Sequence, residues 1–102
     1  MSRGPDAATL LRRALDRHAD HCAIVLTWHS VLSRRWASAT FVGAQHRIAL
    51  TVSGANLGAW IDGLDEVDLR LRGHLVADVV VTTIAHTGDQ AELGVEVLTV
   101  ET

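Results

Sequence analysis

Apolar side chains recur near the start of the chain at the spacing of an α-helix. Leu11 and Leu15 are four residues apart, and His18 and Cys22 continue the series at intervals of three and four. This spacing places the four side chains on one face of a helix, which we expect to be buried. The pattern predicts a helix over residues 6–20.

Three segments rich in β-branched and apolar residues follow this helix. In order along the chain they are CAIVLTWHSVL, WASATFVGA and HRIALTV. We expect a turn at residues 33–35 between the first two segments and another near residues 43–45 before the third. In the third segment Ile48, Leu50 and Val52 alternate with more polar residues, which predicts a strand with one buried face.

A second, shorter helix is predicted next, because Leu57, Trp60, Ile61 and Leu64 have the spacing i, i+3, i+4 and i+7. Two long strands follow, at about residues 69–85 and 93–100, with a bulge or bend expected at the glycine at position 73. The predicted order is α-β-β-β-α-β-β. We therefore expect an α+β fold over residues 1–102, with flexible residues 1–5, one mostly antiparallel five-stranded sheet, and two helices on one face of it.

The last two strands are aligned by matching their apolar faces. A three-residue loop at 88–90 would set Thr82 opposite Glu96 and His86 opposite Glu92. Two helices cover only one face of a sheet, so the half-apolar second face needs a cover such as a second copy of the chain. The polar residues predicted at this interface are His74, Asp78, Thr82, His86 and Glu96.

Two of the three tryptophans flank a basic segment. Trp28 and Trp36 are expected to meet across the first hairpin, with Arg34 and Arg35 between them. Because tryptophan and arginine are frequent in binding interfaces, these four residues join the predicted interface. The alternative for the two tryptophans is packing within the protein.

The segment RHADHC at residues 17–22 contains two histidines and the only cysteine of the chain. His18 and Cys22 would share a face if the first helix continued through residue 22. Imidazole and thiolate bind zinc, and three protein ligands plus water are typical of a catalytic zinc site. His18, His21 and Cys22 are therefore a candidate zinc site. The alternative is a helix end that runs into a strand, with a buried thiol acting as a small hydrophobic side chain.

The composition narrows the classes of function. A net charge of −3 without a basic cluster argues against nucleic-acid binding. No apolar run approaches the ~20 residues that span a bilayer, and no secretory signal is recognisable. A single cysteine allows no internal disulfide, so we expect a cytoplasmic protein. All nine basic residues are arginine, which is typical of a GC-rich bacterial genome.

The predicted element order resembles that of type III secretion chaperones, which are small acidic homodimers that bind partner proteins. The resemblance concerns topology alone, and those chaperones usually add a C-terminal helix that this chain, ending in VEVLTVET, lacks. Our first hypothesis is a non-enzymatic protein-binding or assembly module acting as a homodimer. The second is a small metal-dependent or cysteine-based enzyme using His18, His21 and Cys22. A third is ligand storage between the sheet and its helices, where several small residues leave room.

Overall fold

Residues 6–102, which the computed structural model describes, form one antiparallel sheet of five strands and two α-helices. The predicted α+β class is confirmed, whereas the expectation of flexibility for residues 1–5 lies outside the described residues. The strand order across the sheet is β1-β2-β5-β4-β3. The elements are α1 (Ala7–His21), β1 (Val25–Ala37), β2 (Val42–Ser53), α2 (Leu57–Asp62), a 3₁₀ turn (Leu64–Glu66), β3 (Arg70–Leu71), β4 (His74–Thr87) and β5 (Gln90–Glu101).

Helix α1 begins with a side-chain cap. The carboxylate of Asp6 accepts a hydrogen bond of 2.9 Å from the backbone N–H of Thr9. This bond stabilises the charged form and lowers the pKa of the Asp6 carboxyl. The buried residues of the helix are Leu11, Ala14, Leu15 and Ala19. The predicted helix is therefore confirmed, but of its predicted face Leu11 and Leu15 are buried, whereas His18 is partly buried and Cys22 is exposed.

The chain leaves α1 through a left-handed turn. The helix ends at His21, and Ala23 has a φ of 56°. The backbone N–H of Ile24 donates to the carbonyl of Ala19 at 2.8 Å, and that of Ala23 donates to the carbonyl of Asp20 at 3.2 Å. These two bonds are the Schellman arrangement, which satisfies the last carbonyls of a helix.

Replacing Ala23 by glycine is expected to stabilise the protein. A left-handed conformation strains an alanine because its Cβ crowds the following carbonyl, and glycine has no Cβ. We expect Ala23→Gly to raise the free energy of unfolding by about 0.5–1 kcal/mol, measured by urea denaturation. Ala55→Gly is the control, because Ala55 is also exposed but has no positive φ. An Ala23→Gly variant no more stable than the parent would contradict the strained turn.

The first hairpin contains two long strands where three shorter ones were expected. β1 continues through residues 33–35, and Arg34 pairs with Gln45 on β2. The reversal comes later, where the backbone N–H of Ser38 donates to the carbonyl of Phe41 at 2.8 Å. The predicted turn at 33–35 was wrong because β1 lies at the edge of the sheet, where an arginine side chain reaches solvent without leaving the strand.

The second part of the sheet contains one strand more than expected, because Gly73 lies in the turn of a hairpin and not in a bulge within a single strand. Gly73 has a φ of 78°, which suits a tight turn, and Leu71 faces His74 across it. Two strands therefore precede α2 and three follow it, where three and two were expected. The element order on which the resemblance to type III secretion chaperones depended is not found.

Two bulges in β4 decide which of its residues share a face. The loop between β4 and β5 has two residues, and Thr87 faces Gln90, whereas a three-residue loop was predicted. A bulge between Val81 and Thr83 inserts one residue in β4 that has no partner on β5, and another bulge lies between Val76 and Asp78. As a result Glu96 faces Val80 instead of Thr82, and Glu92 faces Ala85 instead of His86.

The helices cover one face of the sheet and leave the other uncovered. The covered face carries the core, which includes Ile48 and Leu50 of β2 and Leu93 and Val95 of β5, all almost fully buried. The apolar residues predicted for the second helix are also buried: Leu57, Trp60, Ile61 and Leu64.

Candidate functional site

The uncovered side of β1, β2, β5 and β4 is called the open face below. Residues that face each other on antiparallel strands point to the same side, so the register defines rows of side chains across this face. Three successive rows are Trp36–Gly43–Val100–Leu75, Arg34–Gln45–Leu98–Asp78 and Leu32–Arg47–Glu96–Val80.

The open face exposes large apolar side chains. Leu32 is 66% exposed, Leu75 58% and Val80 43%. Leu98 and Val100, between them on β5, are partly buried. A face that exposes several apolar side chains is a candidate interaction site in a soluble protein, whereas a single exposed apolar residue is not.

Charges of both signs lie among these apolar side chains. Arg47 on β2 donates to Glu96 on β5 at 3.3 Å, and this pair lies in the middle of the face. Arg34 and Asp78 lie at the two ends of the neighbouring row, and neither forms an ion pair within the described part of the chain. The basic residues are on β1 and β2, and the acidic residues are on β5 and β4.

Trp36 lies against Gly43, its partner on β2. A Cβ at Gly43 would lie 2.8 Å from Cζ2 of the Trp36 ring and would overlap the carbonyl oxygen of Thr99. The absence of a side chain at Gly43 therefore lets the indole lie on the strand. The Nε1 atom of this indole is buried without a hydrogen-bond partner within residues 6–102.

The depressions in this face are shallow. One of about 200 Å³ is lined by Leu32 and Arg47, and another of about 540 Å³ by Trp36 and Leu98. Gln45 lines both, so they lie side by side on the open face and not between the sheet and the helices. A third depression, of about 390 Å³, does lie between the helical residues and the sheet, where Ile61, Asp65 and Val81 line it, and it is the one that bears on the hypothesis of ligand storage.

Four of the nine residues predicted at the interface lie on the open face: Arg34, Trp36, Asp78 and Glu96. Thr82 has no register partner, because it is the extra residue of the bulge between Val81 and Thr83. The bulges also turn His74 and His86 to the covered side, where they face Glu101 and Ala91. Arg35, one residue after Arg34, also points to the covered side and lies 3.9 Å from Glu101.

Trp28 does not belong to the open face. Its Nε1 donates to the carboxylate of Asp16 on α1 at 2.7 Å, and the Arg12 guanidinium lies 5.1 Å from its ring centre. The predicted meeting of Trp28 and Trp36 was wrong, because both are on β1 and point to opposite sides of the sheet. The cation–π contact belongs to Arg12 and holds α1 against β1.

The three candidate zinc ligands in RHADHC do not lie close together at the end of the helix. The ring of His18 stacks on Trp60, with 5.9 Å between ring centres, while Cys22 is exposed beyond the last helical residue. Between residues 6 and 102 no group of three or more His, Cys, Asp or Glu side chains is placed to hold a metal ion. The alternative of a helix end is found, but its thiol is exposed where a buried one was expected.

A buried histidine that the sequence analysis did not single out lies on the covered side of β2. His46 is 1% exposed, and Thr99 on β5 is fully buried. The Nε2 atom of His46 lies 2.9 Å from the Thr99 hydroxyl, and Nδ1 lies 2.7 Å from the Ser33 hydroxyl on β1. The three side chains connect three neighbouring strands.

These contacts assign the tautomer of His46. Thr99 donates its only hydroxyl proton to the carbonyl of Ala44 at 3.3 Å, so it accepts from Nε2–H of the histidine. Nδ1 then accepts from the hydroxyl of Ser33. Burial disfavours the charged imidazolium and lowers the pKa of His46 below its usual range. The histidine is therefore neutral and fully hydrogen-bonded.

The alternation in HRIALTV contains the signal for this network. The buried residues Ile48, Leu50 and Val52 are two apart, and one more step of two reaches His46. The same step from Val97 reaches Thr99 on β5. A polar residue at a buried position needs a hydrogen-bond partner, so both positions were identifiable in advance, although their pairing was not.

Helices long and apolar enough to cross a membrane are not found between residues 6 and 102. The chain matches no protein-family model, no curated protein and no solved structure. Its function is therefore inferred from the open face.

Proposed function

We propose that this protein is a non-enzymatic protein-binding or assembly module that acts as a homodimer, with a second copy covering the open face. The observation that carries the proposal is the uncovered side of the sheet, where Leu32, Leu75 and Val80 are exposed. Covering these side chains removes apolar surface from water, which is the main favourable term in protein association.

The size of the open face supports this proposal. Its four long strands have at least twelve residues each. At ordinary strand rise and spacing they present about 750 Å². Stable protein complexes bury about 800 Å² on each partner, so the face is large enough for a dimer.

The arrangement of charge supports a second copy as the partner. Basic and acidic side chains are separated on the face, with Arg34 at one end of a row and Asp78 at the other. A surface that contains both halves of a complementary pattern fits its own copy, as an isologous interface requires. The lone cysteine, which forms no disulfide, supports action in the cytoplasm.

The proposal predicts that Leu32→Asp weakens the dimer. We expect the parent protein to have twice its chain mass of 11.0 kDa in sedimentation velocity at high concentration. In Leu32→Asp a buried carboxylate appears twice in each dimer, so we expect the dissociation constant to rise about a hundredfold or more. Leu32 is 66% exposed in the chain, so the substitution leaves the fold intact.

The matched control is Ile84→Asp. Ile84 is 49% exposed but faces Leu93 on the covered side of β4, and therefore does not belong to the rows of the open face. We expect this variant to keep the dimer. A parent protein that has the monomer mass at every concentration up to about 1 mM would disprove the homodimer.

A further inference from the structure

The register of the open face specifies how two copies fit together. Each row has four positions, one on each long strand. A two-fold axis that is parallel to the strands and lies over the gap between β2 and β5 places each row of one copy against the same row of the other copy in reverse order. β1 of one copy then lies over β4 of the other, and β2 lies over β5. In each row the first residue meets the fourth, and the second meets the third.

We infer that two copies pack face to face about this axis, an inference that rests on the proposed homodimer. This axis places Leu32 of one copy opposite Val80 of the other, and both side chains are exposed in the single chain. It places the strand position of Trp36 opposite that of Leu75, and it places Gly43, which the Trp36 indole covers, opposite Val100. Apolar side chains meet apolar side chains in these rows, as they do between packed sheets.

The charges also match about this axis. Arg34 of each copy meets Asp78 of the other, so two charges without a partner in the described chain become two ion pairs. The Arg47–Glu96 pair meets the same pair in reverse, with each arginine over a carboxylate.

The other two-fold axis in the plane of the face does not give this match. An axis across the strands places every strand over its own copy. When this axis passes through the row of Arg47, it places Arg47 of one copy opposite Arg47 of the other, and likewise Glu96 opposite Glu96. When it passes between this row and the next, it sets Arg34 over Leu32. Like charges or unpaired charges result in both cases, and each opposes association.

The test uses one charge reversal at each end of a row. In Arg34→Asp, and separately in Asp78→Arg, like charges face each other twice in the dimer. We expect each variant alone to dimerise about tenfold or more weakly than the parent protein in sedimentation velocity. Mixing the two variants brings opposite charges together at both ends, so we expect a one-to-one heterodimer as tight as the parent dimer. The double variant is expected to recover in the same way.

Controls separate the geometry from general effects of charge. Arg17→Asp and Asp20→Arg make the same charge changes at exposed positions of α1, and we expect both to dimerise as the parent does. Circular dichroism and urea unfolding check that each variant is folded. A parent dimer with single variants of unchanged affinity, or a mixture without heterodimer, would overturn the axis and leave the homodimer standing. A monomeric parent would overturn both.

Discussion

Gly43→Val is expected to lose about 3 kcal/mol or more of unfolding free energy. The new Cβ would overlap the carbonyl of Thr99, which is backbone and is held by the pairing of β2 with β5. It would also lie 2.8 Å from a ring atom of Trp36. Relief requires a shift of a strand or expulsion of the indole from the sheet. Urea denaturation at one protein concentration measures the loss as a lower midpoint.

Two further variants test the cause of this loss. Gly58→Ala is the matched glycine control, because a Cβ at that position in α2 would have no atom within 4 Å apart from its chain neighbours and the backbone of its own helix. We expect Gly58→Ala to be neutral or to stabilise by up to about 1 kcal/mol. In a Trp36→Ala background the Gly43→Val loss should become smaller, because only the clash with Thr99 remains. A Gly43→Val variant as stable as the parent would refute the close approach.

The stability of the protein is expected to fall as the pH decreases below about 6.5, the usual pKa of a histidine in an unfolded chain. The pKa of His46 is lowered in the folded state by burial, so the unfolded chain binds one more proton between the two values. The contribution of His46 is complete above the unfolded pKa and is lost as the pH falls from there through the folded pKa. The slope approaches at most about 1.4 kcal/mol per pH unit.

His46→Gln is the variant that isolates this effect. An amide hydrogen-bonds without titrating, so the unfolding free energy of His46→Gln should change less between about pH 7 and pH 5 than that of the parent. His86→Gln is the control, since His86 is exposed on β4 and solvated in both states. Urea denaturation at several pH values gives the comparison. Parallel pH profiles for His46→Gln and the parent would rule out His46 as the cause.

The open face was predicted as a feature, but its members on β4 were predicted only in part. Two helices can cover only one side of a sheet, so the count of helices was enough to predict an uncovered face. The members depended on alternation along β4, and the two bulges reversed that alternation twice. Leu75 was missed for this reason, because the bulge between Val76 and Asp78 separates it from Asp78, which was placed correctly. A bulge adds a residue without changing the local composition, so no pattern in the sequence marks it.

The zinc hypothesis for RHADHC depended on where the first helix ends. Spacing along a helix identifies residues that share a face only while the helix continues. The helix ends at His21 because the bonds of the turn at Ala23 satisfy its last carbonyls, and Ile24 then enters the core. Burial of apolar residues in the core therefore determined where the helix ends. The spacing of residues along a helix does not reveal where that helix ends.

By itself the sequence determined the two helices, the antiparallel sheet and the α+β class, because burial of one face imposes a period of 3.6 residues on a helix and two on a strand. It also determined that one side of the sheet has no helix to cover it. The tertiary structure decided where β1 turns, where β4 bulges and which partner His46 finds on β5. These depend on contacts between residues far apart in the chain, and Thr99 lies 53 residues from His46.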